Sequence, residues 1–378
     1  MHARLLIQKL YHGALLLFPL IIFSSLGSTM SVPAFPGAQG FGALATGGAG
    51  GQTYEVTSLD DSGPGTFRDA VSQPRRIITF RFGGIIHLRS NIQVASDLSI
   101  LGQTAPQVGI TLYGRSISFS GQHNIIVRYL RLREGIQGDR GKCSVNLAHG
   151  SDMIFDHVSI EWGRWDCLDL TQGSHDITFQ NCIIGEGIAP QHFGALVDSV
   201  TDVTFSHNLW IDNKSRNPKS KGTVQYINNI VYNWGVNGLV GGHSASVHAV
   251  DVIGNYFIKG PSSSGRFAGL FTSTDRVFFL NNEADLGGSG KLKGRPISRE
   301  DFCRTSGSPV LAPAPQLRPA VEVTVDSPEV ALKKVAEDAG CSRQRDAVDK
   351  ALVDQLKSMG IVGSIIPSET NFFNPGPS

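Results

Sequence analysis

The chain is short of charge. Asp, Glu, Lys and Arg make up only 17 per cent of its 378 residues, and 33 cations against 32 anions leave a formal net charge of +1. A protein with no surplus of either sign has no whole-molecule field to draw it to nucleic acid or to an anionic membrane. Electrostatic recognition must then come from local clusters. Cysteine is sparse too. The five are Cys143, Cys167, Cys182, Cys303 and Cys341, and the odd number leaves at least one without a partner in the chain. Beyond residue 23 no apolar run is long enough to span a bilayer.

Glycine, by contrast, is abundant, at 44 residues, and 40 per cent of the chain is hydrophobic. That mixture suits strands and turns, because helices favour Ala, Leu, Glu and Lys. At the N-terminus, Arg4 and Lys9 precede the apolar core ALLLFPLIIF (14–23), and the small residues SSLGSTMS come next. Residues 1–30 therefore read as a secretory leader, cleaved near Ser28 to Ser31; an uncleaved anchor is the other reading. Export makes the mature chain secreted or periplasmic, where disulfides can form.

A repeat dominates the chain beyond the leader. DLSI at Asp97, NIIV at Asn124, DMIF at Asp152, DITF at Asp176 and DVTF at Asp202 each join a turn-forming Asp or Asn to an apolar strand, at spacings of 27, 28, 24 and 26 residues. Units of this length without helices between them predict a solenoid, in which stacking makes one continuous core from faces that no unit can bury alone. The regular Leu and Asn consensus of leucine-rich repeats is missing. The expected fold is all-β, a single-stranded right-handed parallel β-helix with short helices at its ends. Asn208, Asn229, Asn255 and Asn282 recur at equivalent positions and can bond along a column about 4.8 Å per step, or serve only as turn formers. Cys143 and Cys167 each lie nine residues before a repeat Asp, so equivalent repeats would bring them into disulfide reach.

GTFRDAVS (65–72) reads as a short helix over the N-terminal end of the solenoid. The repeat occupies 31–285, and a Pro-rich extension with C-terminal helices occupies 286–378. SPEVALKKVAED opens with a Ser cap and a Pro at the first helical position, and RQRDAVDKALVDQLKSMG forms a second helix closed by Gly360. Both helices are expected to pack on the solenoid.

The loop DNKSRNPKSKG (212–222) carries the most chemistry. It sets Arg216, Lys219 and Lys221 between two strand-like segments. Read alone, it is a solvated basic turn or a place where an anion is held.

VPAFPGAQGFGALATGGAGG (32–51), VTSLDDSGPGTFRDAV, LGQTAPQVGITL, NIIVRYLRLREG, IFDHVSIEWG, HNLWIDNKSRNP and NNIVYNWG together resemble, in order, the pectate lyase family, polysaccharide lyase family 1. The resemblance covers residues 32–285 and implies a parallel β-helix. It implies cleavage of polygalacturonate, an acidic plant cell-wall polysaccharide, by β-elimination, usually with Ca²⁺. The family's loop Arg-x-Pro-x-x-Arg/Lys-Gly matches RNPKSKG, so the resemblance makes Arg216 the base and Lys221 a contact to the substrate carboxylate.

Elimination removes a weakly acidic proton alpha to a carboxylate, and negative charge then builds on the carboxylate oxygens. Cations aimed at those oxygens lower the barrier, and a base in reach supplies the rest. Lys214, Lys219 and Lys221 surround Arg216 with positive charge, which disfavours its protonation. For Ca²⁺, the resemblance points to acidic residues on the preceding rungs. It places Cys143 where the family often has Asp, leaving Asp139 as a substitute beside Asp166 and Asp169. His192 and Arg266 are further candidates for lining the substrate cleft, with Glu186 and His243 near them. Asp156 and His157 read as structural, and Arg131 and Arg133 point together from their strand. The chain is expected to act as a monomer, without nucleic acid or membrane as partner.

Two other readings stay open. A glycoside hydrolase of the same fold would use Asp166 and Asp169 as its carboxylate pair but would leave the basic loop unexplained. A non-catalytic polysaccharide-binding β-helix would accommodate the altered acidic positions.

Overall fold

The computed structural model describes residues 32–242, 248–264, 268–302 and 308–373. The leader at 1–30, Cys303, His243 and Arg266 lie outside them. The described chain is the expected parallel β-helix. One sheet has ten strands, parallel from Gly84–His87 to Glu283–Asp285 and closed by the antiparallel Arg295–Pro296. The remaining ladder strands join in a seventeen-stranded assembly that bends around the rest of each turn. No described helix is long and apolar enough to cross a membrane.

The repeat Asp and Asn residues turn the chain. Asp97, Asn124, Asp152, Asp176 and Asp202 all have φ between 54° and 57°, the left-handed region that these short polar side chains tolerate. The strand after each turn then delivers an apolar side chain to the same depth. Phe155, Phe179 and Phe205 stack face to face at centroid spacings of 4.5 and 5.4 Å, inside one core that runs the length of the solenoid.

A second column is polar. Asn208 Nδ2 donates to Asn229 Oδ1 (2.9 Å), Asn229 Nδ2 to Asn255 Oδ1 (3.2 Å) and Asn255 Nδ2 to Asn282 Oδ1 (2.9 Å). Each of those oxygens also accepts the backbone N–H of the asparagine one rung before, and each asparagine Nδ2 also donates to a strand carbonyl. The left-handed turn residues are not these asparagines but the residues just before them, among them His207, Asn228 and Asn281. The asparagines therefore stack as buried hydrogen-bonding groups, not as turn formers.

The anticipated Cys143–Cys167 bridge does not form; both thiols are free and buried. The offset between these two rungs is 24 residues after the turn (Ser151 opposite His175) but 23 before it (Val145 opposite Leu168). One extra residue in the later turn slips the preceding strand by one. At that offset Cys143 meets Asp166, and Cys167 turns away to donate to the carbonyl of Gly185 (3.1 Å). A single-residue slip sends a side chain to the other face.

The helices Pro328–Asp338 and Ala347–Lys357 lay Ala331, Leu332, Val335, Val348, Leu352 and Leu356 on the outer face of the ten-stranded sheet. Arg131 and Arg133 both point to this side. Arg133 pairs with Asp346 (2.6 Å), Asp349 (2.8 Å) and Glu161, so these arginines fasten the second helix and take no part in the basic loop. Asp156 likewise serves structure. It is buried against Arg128 (2.7 Å) and His157 (2.9 Å), whose ring stacks on Tyr129.

Next to this anchor Glu186 and Asp212 are fully buried on adjoining turns. Burial, together with the neighbouring Asp212 carboxyl, raises Glu186 well above the carboxylate range, and burial pushes Asp212 up to about 7.

Asn229→Ala would leave the Asn208 backbone N–H and one of its Nδ2 hydrogens without an acceptor and the Phe205 carbonyl without the Asn229 donor, costing about 3 kcal/mol by denaturant unfolding. A loss under about 1 kcal/mol would show that the ladder is not a major stabiliser. The Glu186–Asp212 pair keeps a proton that the unfolded chain has already released, so stability should fall as pH rises from the ordinary carboxylate value, 3.8 for Asp, to about 7. Glu186→Gln should flatten that slope in thermal melts, and an unchanged slope would assign it to other groups.

Candidate functional site

The long strand assembly carries a face on which in-register rungs align side chains in rows. Successive pairings place Gln93, Ser118, Asn146, Asp169, Leu196 and Lys219 in one row. These six are exposed or half-buried, while Ile92, Ile117, Val145, Leu168 and Ala195 beside them are buried in the core. At about 4.8 Å per rung the row spans about 24 Å. Asn146, Ser118, Gln93 and Lys142 line a polar groove at its upstream end. None of the first three stood out in the sequence; only the register unites them.

The basic loop crosses this face downstream. Asn213 and Asn217, both buried, hold it in place. Asn213 accepts from the Gly187 N–H (3.1 Å) and donates to the Ile184 carbonyl (3.0 Å) and to Asn217 Oδ1 (2.9 Å). Arg216 takes the left-handed conformation at φ 63°. Its carbonyl accepts from Ala195 N–H (2.7 Å), and a Cβ on Gly194 would lie only 2.3 Å from that oxygen, so glycine is needed beneath the loop. The guanidinium lies over the Phe193 ring, 4.0 Å from its centroid, and bonds Asp166 at 2.9 and 3.2 Å. Phe193 is a site residue that the sequence did not single out; the ring is recognisable only once Asp166 and Phe193 are seen paired across the rungs.

Lys219 and Lys221 come next on the same strand and face outward. Lys221 is paired with Asp198 on the adjacent rung (2.7 Å). Lys219 has no ion-pair partner among the described residues, and burial together with Arg216 and Lys221 lowers it from the ordinary lysine value. His192 sits at the flank, half-buried, with its Nδ1 in contact with the Gly187 carbonyl (3.2 Å); burial pushes it down. Glu186 is inside the protein and does not reach the groove.

Upstream of Arg216, Cys143, Asp166 and Asp169 bring one ligand atom each within 4.8 Å of one another. Burial and the neighbouring Asp169 push Asp166 up to about 8 against the opposing pull of Arg216, and burial raises Asp169 as well. Asp139, expected as the third acid, is exposed and stands outside this group. Its loop turns on a Lys142 N–H to Asp139 carbonyl bond (3.1 Å) and rests on the next rung, where the Lys142 carbonyl accepts from the Arg164 and Trp165 N–H groups (3.1 and 2.9 Å), while the Asp139 side chain stays exposed. Trp165, next to Asp166, is 38 per cent exposed.

A scan of protein-family models finds no match for the chain. The chain is 42 per cent identical over 367 residues to a protein of Aspergillus fumigatus named "Probable pectate lyase C", covering 96 per cent of this chain and 86 per cent of that one. In structure it is similar to a pectate lyase from Paenibacillus sp. 0602, with a TM-score of 0.58 at 14 per cent identity, covering 85 and 98 per cent of the two chains. It is also similar to a pectate lyase from Bacillus sp. N165 solved in complex with trigalacturonate, with a TM-score of 0.52 at 17 per cent identity, covering 80 and 98 per cent.

Asn213→Ala removes three hydrogen bonds from the base of the basic loop. Each tenfold change in opening corresponds to about 1.4 kcal/mol, so trypsin cleavage within Lys214–Lys221 should quicken at least tenfold, by about the net worth of one or two such bonds. An unchanged cleavage rate would mean that the loop is held by other contacts.

Proposed function

The chain belongs to the pectate lyase family, lyases acting on polysaccharide, and from that premise we propose that it cleaves polygalacturonate by β-elimination with Arg216 as the base. The observation that supports this reading is the arrangement of the loop: one arginine seated on Phe193 downstream of the polar groove, with Lys219 and Lys221 beside it.

A uronate entering the groove meets Lys219, a cation with no ion pair among the described residues. Its carboxylate displaces Asp198 from Lys221 or shares that lysine with it. The two ammonium groups then face the oxygens on which charge accumulates, in a partly buried setting where such interactions are strong. A base must be free of its counter-ion, so the Asp166–Arg216 pair opens as the substrate is seated. Once the pair is open, the guanidinium releases a proton to solvent; the neutral guanidine takes the alpha proton, the carbon–carbon double bond forms, and the glycosidic oxygen leaves from the β carbon with a proton from water. Asn146, Ser118 and Gln93 offer hydroxyl-binding groups to sugars further along the row.

Calcium assistance, which the resemblance implies, meets a donor set that does not suit it. Calcium takes six to eight oxygen ligands. Here two carboxylates stand beside a thiol, one of them holds Arg216, and Asp139 is outside the group. The elimination is therefore derived through the protein's own cations. The hydrolase alternative fares worse. Of its carboxyl pair, Asp166 is occupied by Arg216, and the basic loop would be left without a role. An extracellular polymer as substrate agrees with residues 1–30 acting as an export leader, and a near-neutral overall charge agrees with a chain that engages neither nucleic acid nor membrane.

Polygalacturonate incubated with the mature chain should yield an unsaturated product seen by ultraviolet absorbance. Arg216→Ala should lower kcat roughly 10²- to 10⁴-fold. Retention of more than about a tenth of wild-type activity would remove Arg216 as the base. Lys219, lowered from the ordinary lysine value, loses its charge early as pH rises, so it should set a falling alkaline limb. Lys219→Arg keeps the charge and should move that limb to higher pH. A limb that does not move would assign it to another group.

A further inference from the structure

We propose that Lys142, Trp165 and Lys214 form a rim alongside the groove that holds an acidic polysaccharide by its carboxylates and by the apolar face of one sugar, a role that takes its ligand from the polygalacturonate reading. Register builds the rim. Lys142, Trp165 and His192 stand four residues before Asn146, Asp169 and Leu196, three successive members of the groove row. Cys143, Asp166 and Phe193 occupy the strip between. Backbone bonds link the rim rung by rung. The Lys142 carbonyl accepts from Trp165 N–H (2.9 Å), the Trp165 carbonyl from Phe193 N–H (3.4 Å) and the His192 carbonyl from Lys214 N–H (2.7 Å). Lys142 and Lys214 thus lie three steps apart, about 14 Å at about 4.8 Å per step. His192, half-buried with its ring against the Gly187 carbonyl, fills the step between Trp165 and Lys214 as a spacer.

The exposed members suit an acidic sugar polymer. Trp162, Trp210 and Trp234 are at most 3 per cent exposed, whereas Trp165 keeps 38 per cent of its surface in solvent. Its indole lies by the Lys142 loop, since a Cβ on Gly141 would stand 3.8 Å from ring atom Cε3. A rigid indole at the surface offers a broad apolar face at little cost in side-chain entropy. Lys142 lines the polar groove with Asn146, Ser118 and Gln93, and no carboxylate lines it with them. Both lysines are exposed and form no ion pair among the described residues, so neither has to release an acid before it meets a uronate. The C–H face of one pyranose rests on Trp165, and the carboxylates of that sugar and its neighbours reach the lysines on either side. Lys214 opens the basic loop, so a strand held along the rim runs on toward Arg216.

Binding without turnover tests the rim apart from the elimination. Saturated hexagalacturonate, titrated into mature Arg216→Ala protein so that it is not consumed, should shift and quench the tryptophan emission, because Trp165 is the exposed one of four. By calorimetry in that background, Trp165→Ala should weaken binding about tenfold, while Trp165→Phe keeps a ring and should weaken it no more than about twofold. Lys142→Ala and Lys214→Ala should each weaken it about threefold and flatten its decline with salt. Trp165 lies at the surface, so unchanged thermal melts of Trp165→Ala will separate a lost contact from a lost fold. Failure of the elimination reading has a different signature: no unsaturated product from the wild-type chain, with hexagalacturonate still bound in a Trp165-dependent way. Tryptophan emission unmoved at saturation, no detectable binding of hexagalacturonate, or affinity unchanged in both Trp165→Ala and Lys142→Ala would overturn the rim.

Discussion

Hydrogen bonding between successive turns is the constraint on which the rest depends. Parallel in-register pairing sets the rungs about 4.8 Å apart and lets no strand slip alone. Each position in the repeat thus becomes a row along the molecule. One row is filled by stacked rings, Phe155, Phe179 and Phe205, another by buried asparagines, and a third by the side chains of the groove. Left-handed residues at the corners make this possible, since a regular turn of the coil needs a chain reversal that Asp and Asn adopt at low cost.

The site arises from that regularity and from one interruption of it. The strand rows place Asp166, Phe193 and the basic loop on neighbouring rungs. The loop itself is held from below by Asn213 and Asn217, which satisfy backbone groups that no strand pairs. Polar residues go inward so that Arg216 can stand outward over an aromatic ring. The same stacking forces carboxyls into contact, Asp166 with Asp169 and Glu186 with Asp212, and burial keeps protons on groups that water would ionise. The first pair faces the groove and has a cation beside it, whereas the second lies under the C-terminal segment and serves only the interior.

Much of this was legible before the fold was known. The spacing of Asp97, Asn124, Asp152, Asp176 and Asp202 announced a β-solenoid because a turn residue must recur once per unit. The asparagine ladder was visible as a recurrence, though its bonding direction was not. Arg216 and the two lysines stood out as a cationic loop. What misled was counting along the chain. One extra residue in a turn moved Cys143 from Cys167 to Asp166 and exchanged a disulfide for a thiol facing two acids. Asp139 was drawn toward the acidic rung by the resemblance, as a substitute for the acid missing at Cys143, and its side chain stays exposed.

By itself, then, the sequence determined the period, the alternation of core and surface within each strand, and the identity of the cationic loop, because all three depend on neighbours within a few residues. Only the tertiary structure decided which rung met which. The row from Gln93 to Lys219, the ring beneath Arg216 and the grouping of Cys143 with Asp166 and Asp169 join residues more than twenty positions apart. Their proximity is set by the exact residue count of each intervening turn, and a local pattern carries no record of how those counts line up across rungs.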